Sequence, residues 1–138
     1  MKKTTKTNKK PFFKSALTAL VLGRIANALV VATKKSQSAG DELLYRLPGV
    51  FSMTISYGGR RVRLIKEANT FRIMEKSEKS DILLAVEFAD GAALCDVFQA
   101  KATWAKILSE GRLRLSGNVN YAAVFLRVAA ESDRLRAK

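Results

Sequence analysis

The sequence predicts an α+β fold: a five-stranded, mostly antiparallel sheet covered on one face by helices, with an apolar helix at the N-terminal side. Three observations predict this architecture. An apolar, alanine- and leucine-rich segment comes first, segments with an apolar residue at every second position follow it, and helical spacing returns near the C-terminus. The chain has 138 residues, the size of one domain with a single core.

Positive charge is concentrated at the N-terminus. The net charge is +13, and the first 35 residues contain nine basic residues and no acidic residue. Residues 1–10, MKKTTKTNKK, have no apolar side chain after Met1 and are predicted to form a disordered basic tail. Such a segment has three interpretations: a solvated tail, a patch that binds an anionic membrane surface, or an arm that binds nucleic acid.

Residues 11–35 are predicted to form the apolar N-terminal helix, with Pro11 in its first turn. Arg24 and Asn27 lie in its middle, and an arginine at the centre of a bilayer costs about 2.5 kcal/mol or more, which disfavours a membrane-spanning helix. Arg24 also divides the apolar segment, which disfavours a signal peptide. Because the polar residues do not gather on one face, two interpretations stay open: the helix packs on the domain, or it partly enters a membrane surface.

A meander of three antiparallel strands is predicted to follow a polar linker at residues 35–40. Apolar residues occupy every second position in three segments separated by turn residues, the first of which are Gly58 and Gly59. The predicted strands are residues 51–57, 60–66 and 70–75.

The C-terminal half is predicted to add two strands and three helices. Asp90 and Asn118 stand where helix N-caps are expected, because their side-chain oxygens can accept hydrogen bonds from the free amides of a first turn. The predicted elements are a strand at 82–88, helices at 91–99 and 101–109, a strand at 112–115 and a helix from 119 to about 134. The folded domain is therefore expected to span residues 41–134.

The second face of this sheet is predicted to be polar and solvated. Its residues are Ser52, Thr54, Ser56, Arg61, Arg63, Arg72, Glu87, Arg112 and Arg114. Together with Arg60 and the basic tail, these arginines could hold phosphates, so nucleic-acid binding is the alternative function from another class. The strands carry no exposed aromatic residue on which bases could stack, which disfavours that alternative. A scaffolding subunit that meets a protein partner is a third interpretation.

Enzymatic chemistry finds little support in the sequence. The chain has no histidine, a single cysteine and neither a GxSxG nor a GxxxxGK[ST] motif. Cys95 has no histidine partner and is expected to pack as an inert side chain. The sequence therefore predicts a protein that is not an enzyme and that uses no metal and no cofactor.

Two stretches carry a resemblance to a known family. Phe88-Ala89-Asp90 ends a strand at a helix start, and the segment 111–118, GRLRLSGN, precedes a final apolar helix. In this order they resemble the C-terminal half of the sterol carrier protein 2 domain, and the resemblance covers roughly residues 41–130. The segment QAKATWAKIL lacks the proline and glycine usual for that family. The apolar helix before the domain looks more like that of bacterial relatives beside membranes, such as accessory factors of ubiquinone biosynthesis.

The resemblance implies a non-enzymatic lipid carrier. A sterol, a fatty acyl chain or an isoprenoid-type lipid would lie in an apolar cavity between sheet and helices, in a cytoplasmic protein that can sit at the inner face of the membrane. For each apolar residue alone, core packing is the stronger interpretation, so only the set is a prediction. The candidate lipid-binding residues are Met53, Ile55, Phe71, Leu84, Val86, Phe88, Leu94, Phe98, Trp104, Leu113, Leu115 and Phe125.

Overall fold

The chain forms one mixed sheet and four helices. The computed structural model describes residues 15–38, 40 and 42–136, so the predicted tail at 1–10 lies outside the described residues. The helices are α1 (Ser15–Ser38), α2 (Gly91–Phe98), α3 (Trp104–Ser109) and α4 (Val119–Arg136). The strands are β1 (Ser52–Tyr57), β2 (Arg60–Glu67), β3 (Thr70–Ile73), β4 (Leu84–Phe88) and β5 (Leu113–Gly117). The predicted fold class is confirmed, with strand ends shifted by one or two residues.

The sheet has the strand order β3-β2-β1-β4-β5. The β1–β4 pair is parallel, whereas β1–β2, β2–β3 and β4–β5 are antiparallel. Gly58 and Gly59 connect β1 to β2 with φ angles of +59° and +83°, which suit a two-residue hairpin turn and favour glycine. The meander thus forms locally, and β4 is inserted beside β1 from a later part of the chain.

The pairing register places the predicted apolar residues on one face. Met53 lies opposite Leu64 on β2 and Leu84 on β4, and Val86 lies opposite Leu115 on β5. Residues opposite each other in a sheet share a face, so this row continues across the strands. The helices pack on this face and bury it.

Helix α1 ends three residues later than predicted and belongs to the core, while the predicted start at residues 11–14 lies outside the described residues. It ends at Ser38, so most of the predicted linker at 35–40 is helical, and that prediction is wrong for residues 35–38. Three of its polar residues are small enough to be buried, since Thr18, Thr33 and Ser36 are each less than 5% exposed, whereas Arg24 and Asn27 are exposed. The three buried residues complete an inward stripe at helical spacing with apolar residues such as Leu22 and Leu29. Gly40, with φ at +87°, follows the helix end.

A side-chain hydrogen bond fastens α1 to the sheet. The backbone N–H of Phe71 donates to Thr33 Oγ1 over 3.1 Å, and the Thr33 hydroxyl donates to the Val30 carbonyl over 2.7 Å. Ala16–Gln37 is long and apolar enough to cross a membrane, yet half of its most apolar window is buried inside the protein. Within the described residues α1 therefore serves as a core helix.

Candidate lipid-binding site

The twelve candidate residues meet in the layer between the sheet and the helices. All of them are buried except Phe98 and Leu115, which are half-buried and pack against the same core. Eight come from the strands, where they share the covered face. The other four come from helices α2, α3 and α4, which cover that face, and they are Leu94, Phe98, Trp104 and Phe125. Lipid contact by these side chains stays a prediction.

Aromatic rings form the centre of this layer. The ring centroids of Phe88 and Trp104 lie 5.4 Å apart, and those of Trp104 and Phe125 lie 5.3 Å apart with perpendicular planes. The edge-to-face contact of Trp104 with Phe125 adds to the burial energy. Thr103 caps α3 by accepting from the Lys106 N–H over 3.1 Å, which explains why α3 begins at Trp104 rather than at residue 101.

The sequence interpretation missed two parts of this layer. Leu22, Ile25 and Leu29 of α1 are at most 2% exposed and cover the β2–β3 side of the sheet. Phe51, just before β1, is 1% exposed, and its ring centroid lies 5.4 Å from that of Tyr121 on α4. The spacing of 3 and 4 among the apolar residues of α1 was the available signal.

The opposite face of the sheet is polar, as predicted, but it is partly covered. Ser52 and Thr54 are buried there, against the expectation of a solvated face. The segment after β3 folds across them: Ser52 Oγ donates to Ser80 Oγ over 2.7 Å. The Arg63 guanidinium donates to the carbonyl oxygens of Glu75, Lys76 and Glu78 at 2.9 to 3.3 Å.

Carboxylates engage most of the other arginines on this face. Arg72 lies 2.7 Å from Glu78 and 3.2 Å from Glu67. The hydrogen bond from Arg72, assisted by the Glu75 N–H, lowers the pKa of Glu78 to about 2. Arg112 reaches Asp90, Asp96 and Glu110, and Arg114 reaches Glu87, all at 3.2 to 3.4 Å. These guanidinium groups already have anionic partners within the chain.

Asp90 and Cys95 take structural positions. Asp90 Oδ1 accepts from the Ala93 N–H over 2.7 Å, which confirms the predicted cap of α2. Burial, with a smaller effect of Asp96, raises the pKa of the half-buried Cys95 thiol, so the thiolate is disfavoured. The described part of the chain brings no group of three or more histidine, cysteine, aspartate or glutamate side chains together for a metal ion.

Two adjoining grooves open between the segment after α1 and the exposed side of α4. The first has a volume of about 360 Å³ and is lined by Arg46, Asn120, Ala123, Val124 and Arg127. The second, of about 380 Å³, shares Arg127 and is lined also by Gly40, Glu42 and Tyr45. The sequence interpretation did not single out either arginine, because they are distant along the chain and belong to no motif.

Comparison with solved structures identifies the fold. No family model and no curated protein matches the sequence. A protein described as "UbiJ-SCP2 Ubiquinone synthesis protein" superposes with a TM-score of 0.57 at 16% identity, covering 82% of this chain and 96% of that one. A conserved hypothetical protein from Thermus thermophilus, described as a candidate sterol carrier protein, gives 0.52 at 16% identity, covering 93% and 89%. The sterol carrier protein domain 2 of Helicoverpa armigera gives 0.50 at 14% identity, covering 80% and 88%.

Proposed function

We propose that this chain, which has the sterol carrier protein 2 fold, is a non-enzymatic carrier that holds one lipid between its sheet and its helices. The observation that carries the proposal is the apolar layer built from the covered sheet face and closed by α1, α2, α3 and α4. The side chains of this described core include no charged group, and the buried polar ones are hydroxyls. Such an interior recognises a ligand by apolar area, at about 25 cal/mol per Å² removed from water.

The lipid class follows from the same chemistry. An interior without a buried charge suits a sterol, a fatty acyl chain or an isoprenoid tail. The likeness to a ubiquinone synthesis protein favours an accessory role in the cytoplasm, with an isoprenoid-type lipid as ligand.

Lipid extraction from the purified full chain tests this proposal. We expect stoichiometric lipid to be released on denaturation and detected by mass spectrometry, and the emptied protein to bind a fluorescent fatty acid analogue. Leu115→Trp should reduce the bound probe because the larger side chain fills the covered face, whereas Arg114→Trp on the opposite face should not. Circular dichroism checks that both variants fold. A protein that yields no lipid and ignores the probe contradicts the carrier function.

We further propose that the outer face of α1 contacts an anionic membrane surface. Leu17, Leu20 and Val31 are exposed there by 43%, 54% and 39%, and Arg24 and Lys35 lie on the same side. The first 40 residues contain no acidic residue, so nothing in this segment opposes attraction to anionic lipids. The buried face of α1 belongs to the core, which favours contact with the surface over crossing.

Sedimentation with vesicles tests the membrane contact. Glutamine substitutions at Leu17, Leu20 and Val31 should abolish co-sedimentation with phosphatidylglycerol-containing vesicles, and pure phosphatidylcholine vesicles should bind weakly. Val50→Gln/Val119→Gln is the matched control, because both valines are more than 70% exposed and lie outside α1. Deletion of residues 1–35 would instead remove the buried face of α1. Equal sedimentation of the α1 variant and the control would contradict the contact.

Nucleic-acid binding is the weaker candidate for this structure. Arg63, Arg72, Arg112 and Arg114 of the predicted basic face have carbonyl or carboxylate partners in the chain. Phosphates would have to displace these partners, which reduces the gain of binding. Filter binding at low salt provides the measurement, and retention of RNA or DNA with a steep salt dependence would favour this alternative.

A further inference from the structure

We infer that the groove lined by Arg46 and Arg127 binds the anionic headgroup, a phosphate or carboxylate, of the lipid that the interior carries. The inference rests on the proposed carrier function and specifies its ligand as an anionic amphiphile. Two guanidinium groups line this groove, and none of its lining residues is acidic. Paired guanidinium groups are the usual protein partners of phosphate and carboxylate oxygens.

Both arginines have donors to spare. Arg46 donates through Nε to the Tyr45 hydroxyl over 2.9 Å, which leaves its two terminal nitrogens for another acceptor. Among the described residues, Arg127 has no hydrogen-bond or ion-pair partner, whereas Arg72, Arg112 and Arg134 are each paired with carboxylates. The acidic residue nearby, Glu42, lines the second groove and not the first.

The groove borders the apolar interior at one residue. Val124 lines the groove and is also a buried core residue, 4% exposed. The next residue, Phe125, belongs to the aromatic centre through its contact with Trp104. A headgroup held by Arg46 and Arg127 would therefore lie one side chain away from the layer proposed to hold the apolar tail. The groove volume, about 360 Å³, falls in the range of small-molecule sites.

A second recess with two arginines fits a headgroup less well. Arg24 and Arg136 line a smaller recess of about 200 Å³ beside Phe98. Arg136 already donates to the Phe98 carbonyl oxygen. The Arg46–Arg127 groove therefore has more free donors and more room.

Displacement of the uncharged dye Nile red tests the inference. The competitors are dodecyl phosphate and dodecan-1-ol, both below their aggregation limits, and inorganic phosphate. Dodecyl phosphate should displace the dye at a concentration at least about tenfold lower than dodecan-1-ol, because charge-assisted hydrogen bonds add to tail burial. Arg46→Gln/Arg127→Gln should remove this preference and leave dodecan-1-ol unchanged. Arg61→Gln/Arg114→Gln, at two exposed arginines on the opposite sheet face, is the charge-matched control and should behave as wild type.

Three other results of these measurements would contradict the inference, and each identifies which part of it is wrong. Equal potency of the two alkyl competitors, or a preference that survives in Arg46→Gln/Arg127→Gln, would overturn the headgroup site and leave the carrier function intact. If inorganic phosphate shifts the NMR signals of Asn120 and Arg127 but dodecyl phosphate has no preference, the groove binds free anions rather than a lipid head. If neither alkyl competitor displaces the dye, the carrier function and the headgroup site fall together.

Discussion

Replacing Thr33 by valine should loosen α1 from the edge of the sheet. Thr33 and Phe71 are each 1% exposed, and the Phe71 N–H has the Thr33 hydroxyl as its acceptor at 3.1 Å. Valine keeps the shape of threonine but cannot accept a hydrogen bond, so the buried N–H loses its partner. Leaving a buried donor unsatisfied costs about 1–3 kcal/mol. With a urea m value of about 1–3 kcal/mol per molar, the unfolding midpoint should fall by roughly 1 M.

Urea unfolding followed by circular dichroism measures this change, and amide exchange of Phe71 locates it. Exchange at Phe71 should become faster in Thr33→Val, because α1 no longer protects that N–H. The control is Thr70→Val, which removes the exposed bond from the Thr70 hydroxyl to the Glu67 carbonyl and should cost less than about 0.5 kcal/mol. Equal midpoints for the two variants, with unchanged exchange at Phe71, would refute the role of this bond.

Two further substitutions test local features of the fold. Gly117→Ala should destabilise the protein by about 2 kcal/mol or more, because φ is +139° and a Cβ would lie 2.5 Å from the Leu83 carbonyl oxygen. Gly49→Ala is the control, because the space around Gly49 is open. Equal melting temperatures of the two variants in thermal unfolding would contradict the clash at residue 117. For Glu78 the folded-state pKa of about 2 lies below its ordinary 4.5, so its contribution to stability is present above about pH 4.5 and is lost as the pH falls toward 2. Glu78→Gln should therefore flatten the acid side of a plot of urea midpoint against pH, and a curve parallel to that of wild type would show that the bond with Arg72 does not contribute.

The sheet and its two faces could be predicted because successive side chains of a strand point to opposite faces, so apolar residues at every second position mark the buried face. Met53 and Ile55 show it directly, and Asp90 marks a helix start through the chemistry of its own side chain. These features depend on residues close together in sequence. The resemblance of the segment 111–118 also has a physical basis at one position, since only glycine fits the close approach of residue 117 to the neighbouring strand.

The parts that escaped prediction depend on partners distant in sequence. Burial of the Thr33 hydroxyl depends on the backbone N–H of Phe71, which lies 38 positions away in the sequence. The charge of Arg72 suggested a contact with phosphate. In the structure Arg72 forms an ion pair with Glu78 instead, because the loop after β3 places Glu78 beside it. The groove could not be foreseen either, because the arginines that line it come from separate elements. In each of these cases the role of the side chain depends on its burial and on its hydrogen-bond or ion-pair partners in the folded chain, and not on its residue type alone.

The central position of β1 has a consequence for how the protein assembles. The hairpins β1–β2 and β2–β3 join neighbouring segments, so they close short loops. The parallel pairing of β1 with β4 must instead wait for a segment that begins after the whole meander. Until Leu84 and Val86 arrive, one long side of β1 has no backbone partner, and its apolar residues lack their neighbours. Pairing β1 with β4 closes a longer loop than either hairpin of the meander, so we expect slow refolding to originate at this step.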